Sequence, residues 1–153
     1  MIRMAIRRAS RAACFAAIVA GVAGPLAAQA AQPQCVSLEE ADAFRLRHLQ
    51  SRLMVAALGC NQQAAYKTFV EHFRASLVSA GGYMTDYYKR IGGGQAALNK
   101  HITDLANAAG LHRAESPNEY CTQAWNLFWS LEQDPHALSK VAEDNIFQAI
   151  AQP

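Results

Sequence analysis

An all-α fold, a compact bundle of five to six helices with one disulfide, is predicted by three observations. After the first thirty residues, apolar side chains recur at spacings of three and four, and no window alternates at period two. Ala, Leu and Gln are plentiful there while Val and Ile are sparse, which suits helices better than strands. Capping residues, prolines and glycines fall between the apolar stripes, where helices start and stop.

Residues 1–30 read as an address. Arg3, Arg7, Arg8 and Arg11 precede an apolar run from Ala12 to Ala23, and Ala28-Gln29-Ala30 follows Gly24-Pro25. This order is that of a secretory signal peptide cleaved before Ala31. The run is shorter than the ~20 apolar residues a membrane span needs, so no stable anchor is expected after cleavage. The location implied is periplasmic or secreted, in a bacterium. Residues 31–153 then form a single helical domain, with 31–36 as a flexible tail.

Removing the leader changes the charge. The whole chain is formally +2. The leader holds four Arg and no acid, which leaves ten Lys/Arg against twelve Asp/Glu, a net of −2. No basic surplus remains to attract nucleic acid.

The helices follow in order. Ser37 and Glu40 form a capping box that starts the first. Its apolar face holds Leu38, Leu46, Leu49, Leu53 and Ala56. The run Leu53 to Leu58 is apolar all round, so that end is expected to be central, with Gly59 as a left-handed stop. The second is expected from about Gln62 to Ser79 on the stripe Tyr66, Phe69, Val70, Phe73 and Leu77, ended by Gly81-Gly82. A short third carries Tyr83, Met84, Tyr87, Tyr88 and Ile91 before Gly92-Gly93-Gly94. The fourth places Leu98, Ile102, Leu105 and Ala109 on one face and stops at Gly110. Ser116-Pro117-Asn118-Glu119 is a second capping box, opening a helix with Cys121, Trp125, Phe128 and Trp129. Asp134-Pro135 opens the last, which uses Leu138, Val141, Ala142, Ile146 and Ile150.

Cys35, Cys60 and Cys121 follow the leader, and an oxidising compartment favours a disulfide. Cys35 and Cys60 flank a helix of some twenty residues, ~30 Å long. Bridged Cα atoms lie within ~7 Å, which excludes that pair. Cys35–Cys121 and Cys60–Cys121 both stay open. Helices of alternating direction bring the end of the first to the start of the fifth, which favours Cys60–Cys121 and leaves Cys35 as the odd thiol.

No constellation nominates a reaction, so no enzyme is expected. Of His48, His72, His101, His112 and His136, no two are four apart. His101 and Asp104 could share a metal but read as a solvated face, so no metal is expected. No Cys-x-x-Cys-His is present for covalent haem. Met54 and Met84 read as core rather than haem ligands, and no cofactor is expected. Gly92-Gly93-Gly94-Gln95 lacks the lysine of a phosphate loop. Tyr83, Tyr87, Tyr88 and Arg90 beside the glycines form the best candidate interaction surface. Trp125 and Trp129, at i and i+4, are expected in the core; an exposed pair would suggest a binding groove.

The segment from Leu49 to Cys60 (LQSRLMVAALGC), with Tyr66, Phe69 and Phe73 after it and Tyr120-Cys121 later, resembles a small exported all-helical family of proteobacteria with no known activity. The resemblance covers most of the mature chain. It implies that Cys60 and Cys121 are the recurring pair, and it implies no site residues.

The function expected is binding, as an accessory or scaffolding component of the cell envelope with an envelope protein as partner. A small-ligand or cofactor carrier is the alternative. So is an acid-stress chaperone, since five histidines gain charge near pH 6–7.

Overall fold

The computed structural model describes residues 35–150, with side chains to Asp144; the leader, residues 31–34 and the side chains of Ile146 and Ile150 lie outside the described residues. Six α-helices follow one another: α1 Leu38–Gly59, α2 Gln63–His72, α3 Arg74–Arg90, α4 Gly94–Glu115, α5 Pro117–Gln133 and, after a 3-10 turn Pro135–Ala137, α6 Leu138–Ile150. Among the described residues there is no strand, and no helix is long and apolar enough to cross a membrane. The fold is therefore the all-α bundle that the periodicity predicts.

α1 touches every other α-helix and is the bundle's axis. Its capping box forms as read: Ser37 Oγ accepts from the Glu40 amide at 3.1 Å, and the Ser37 amide donates to Glu40 at 2.9 Å. Leu49, Leu53 and Ala56 are fully buried, with Met84 of α3 and Tyr120 of α5 among them. Leu38 and Leu58 lie at the two ends of α1, beyond the packed centre, and are exposed.

Several helix ends differ from the sequence reading. Gly59 is the last helical residue, and the left-handed position is Asn61 at φ 56°. What Gly59 provides is room. A Cβ there would lie 2.5 Å from Nε of Arg113, which reaches over from α4. The chain bends at Phe73 (φ −97°, ψ 17°), and α3 then runs straight through Gly81-Gly82. Each glycine costs a helix about 1 kcal/mol, but Leu77, Ala80 and Met84 flank the pair and are buried. Burying Leu and Met side chains is worth about 2 kcal/mol each, so packing wins.

α4 likewise continues past Gly110 to Glu115. It ends where Pro117 forbids α geometry to the residue before it, and Ser116 sits at φ −139°, ψ 68°. Ser116 closes α4 and opens α5 at once. Its side chain caps nothing, so the second capping box does not form. Glu119 accepts from Gln123 instead, at 3.0 Å. The Asp134 cap forms, taking the His136 amide at 3.0 Å.

Cys60 and Cys121 are bonded, with Cα atoms 5.6 Å apart. The bond ties the end of α1 to the first turns of α5, as alternating helices require. It closes 61 residues, a loop for which restriction of the unfolded chain is worth about 4 kcal/mol. Cys35 is not the odd thiol: it too is disulfide-bonded, and no cysteine among the described residues is free. The full chain has four cysteines, an even set.

Candidate functional site

A groove of about 440 Å³ lies where α1, α3 and α6 meet. Its floor is apolar and buried: Ala43 and Leu46 from α1, Ala80 from α3, Leu138 and Ala142 from α6. It exists because the α3 wall is built from small side chains, Ala75, Ser76 and Ser79, which leave a channel that larger residues would fill. Glu39, Asp42 and Arg45 of α1 stand on the opposite lip, and Tyr83 adjoins them. Arg45 pairs with Asp42 at 2.7 Å. Two carboxylates against one guanidinium leave that lip net acidic. The volume falls within the ~300–1,000 Å³ of ordinary ligand sites.

The predicted aromatic surface divides between two places. Tyr83 is exposed and borders the groove. Tyr87 and Tyr88 turn inward, edge-on to Phe44 of α1 at 5.0 and 6.1 Å. Burial, then Tyr87 and Asp104, raises the Tyr88 phenol above its usual value. Arg90 lies over the Tyr87 ring and binds Glu40. The Ser37 amide, and then Arg90, hold the Glu40 carboxyl below the usual carboxylate range. Tyr87, Tyr88 and Arg90 thus fasten α3 to α1, with both tyrosines half-buried and Arg90 still exposed.

Trp125 and Trp129 are not in the core. They are 55% and 58% exposed on α5. The buried stripe is Tyr120, Ala124, Phe128 and Leu131, one position behind the stripe expected. Tyr120 decides the register. Its hydroxyl donates to the Arg52 carbonyl at 2.8 Å, a buried partner that lets the whole ring go inside. Burial raises the Tyr120 phenol, against the opposing charge of Arg52.

A second feature lies on the other side of α1. Phe44, His48, Ser51 and Arg52, at i, i+4, i+7 and i+8, form a stripe that includes two basic side chains. Arg52 is buried, donates to Gln123 at 3.2 Å and lies over the Tyr120 ring. His101 of α4 packs edge-on against Phe44 at 5.3 Å and beside Tyr88 at 5.9 Å. Burial lowers both histidines. For His48 the next causes are Arg52 and His101; for His101, Asp104 opposes the shift and Arg47 adds to it. Nδ1 of His48 and Nε of Arg47 are buried without a hydrogen-bond partner.

Asp104 pairs with Lys100 at 2.7 Å, and His101 packs against the rings of Phe44 and Tyr88. No three His, Cys, Asp or Glu converge among the described residues. Met84 is fully buried and Met54 half-buried. Comparison with protein-family models, with curated proteins and with solved structures returns no match.

Proposed function

We propose that the mature chain works outside the cytoplasm as a binding protein, an accessory component of a bacterial envelope, rather than as an enzyme. The observation that carries the reading is the groove between α1, α3 and α6. Its apolar floor suits one or two aliphatic or aromatic side chains, and the acidic lip of Glu39 and Asp42 suits a neighbouring Lys or Arg. The occupant is a segment of an envelope protein that presents apolar residues next to a basic one. The leader supplies the location, and the Cys60–Cys121 bond suits an oxidising compartment.

The test places a photo-activated cross-linking residue at Ser76, an exposed groove position, in the native host. A protein adduct is expected. Ser79→Trp, which fills the groove from an exposed position, should abolish the adduct and leave helicity and melting temperature unchanged. An adduct that survives Ser79→Trp overturns the groove as the site. Native mass spectrometry of envelope-purified protein adds a second arm: a small molecule that Ser79→Trp displaces would make the chain a ligand carrier. Intact mass fixes the location, since export requires an N-terminus at Ala31 and a full-length cytoplasmic chain would overturn it.

A further inference from the structure

We propose that α4 is an acid-operated latch, released from α1 when His48 and His101 take up protons. The proposal is independent of the groove and of its occupant.

Three features of α4 support it. Of its 22 residues only Leu98 and Ala109 are buried, the fewest of the four long helices α1, α3, α4 and α5. Regions with few buried apolar contacts open first. It begins at a glycine turn, with Gly92 at φ 79° and Gly94 at φ 58°, backbone angles that other residues rarely adopt. Its far end joins α5 near the point where Cys60–Cys121 holds α5 to α1, so α4 can part while α1 and α5 remain tied.

The seam it covers is cationic. His48 faces Arg52 on its own helix and His101 from α4. His101 faces Arg47, Phe44, Tyr88 and Asp104. Arg52 also lies beside Tyr120 of α5. The one carboxylate acting on His101, Asp104, is more than half exposed and shared with Lys100. Both guanidinium groups stay charged across the biological pH range. Two more positive charges therefore enter a partly buried seam that already holds Arg52, while Arg47 acts on His101 from beside Gly81 of α3. Nδ1 of His48 has no acceptor there, so its added proton gains no hydrogen bond.

The sign follows from linkage. An unfolded or undocked histidine titrates near 6.5, and both docked histidines lie below it. The open form binds more protons under acid, so docking is at full strength above pH 6.5 and weakens as the pH falls below it.

Hydrogen exchange of the full mature protein at pH 7 and pH 5, corrected for intrinsic rates, tests this. Protection of α4 should fall several-fold relative to α1. His48→Gln with His101→Gln should abolish the fall, and His136→Gln should leave it intact. Equal changes in α1 and α4, or a fall that persists in the double variant, would overturn the latch. Should the double variant fold poorly, Asp104→Asn supplies another check at an exposed position. It removes the carboxylate that favours protonated His101 in the docked state, so α4 at pH 5 must be at least as open as in the unaltered protein. An α4 more protected at pH 5 in this variant also overturns the proposal.

Discussion

The two sides of α1 are built on opposite plans. Toward α3 and α6 it presents Ala43, Leu46 and Leu53, and what lies there is apolar packing and the groove, with the Glu40–Arg90 pair at the helix start. Toward α4 and α5 it presents His48, Ser51 and Arg52, and what lies there is polar, aromatic and charged. The apolar contacts on that side hold their energy at every pH, because Ala43, Leu46 and Leu53 do not titrate. A face with buried basic groups holds its energy only while some of them stay neutral. One helix can thus keep a fixed binding surface on one side and a responsive seam on the other.

The sharpest way to break this division is to cut the bond that spans it. Cys60→Ser with Cys121→Ser should lower stability by about 4 kcal/mol in urea unfolding, and reductant should then have no further effect on the α1–α5 junction. On the apolar side, Met84→Ala should cost about 3 kcal/mol, equally at pH 7 and pH 5. A cost that changes with pH would blur the distinction. On the polar side, Tyr120→Phe removes the hydroxyl bonded to the Arg52 carbonyl and should cost about 1 kcal/mol, read from the same unfolding curves.

Glu40 loses its charge in a more acidic window than the histidines do. Its carboxyl is held below the reference value of 4.5 by Ser37 and Arg90. A lowered carboxylate stabilises the fold above its unfolded pKa and loses that contribution as the pH falls through its folded value. Glu40→Gln should cost about 1 kcal/mol at pH 7 and nothing once Glu40 is protonated, well below the window of His48 and His101. The smallest expected effect is a gain. A Cβ on Gly82 meets nothing within 4 Å and its φ is not positive, so Gly82→Ala should add about 0.5–1 kcal/mol to the melting stability of α3.

Helix periodicity was readable because each helix buries one stripe, and Phe69, Phe73, Leu77 and Leu98 lie where spacing puts them. Glycines were the poorer guide. Gly81, Gly82 and Gly110 are local penalties of about 1 kcal/mol, overruled by packing that a linear chain does not display. On α5 two adjacent stripes compete. Residue type alone favours the one with Trp125 and Trp129, and only the distant Arg52 carbonyl shows why Tyr120 takes the interior. The groove was invisible for a similar reason. It draws on three stretches, near residues 39–46, 75–83 and 138–142, and what makes it is small side chains, which signal nothing in sequence. Of the predicted surface, only Tyr83 reaches it.

The link between Cys60 and Cys121 has a bearing on timing. A translocation channel of the general secretory route accepts unfolded chain, and a protein that folded fully inside the cell would jam it. Here about 4 kcal/mol of a modest total stability depends on a bond that a reducing cytoplasm does not allow. On the exported reading, the nascent chain stays pliable until it meets an oxidant on the far side, and the same staple that orders the bundle keeps it from setting too early.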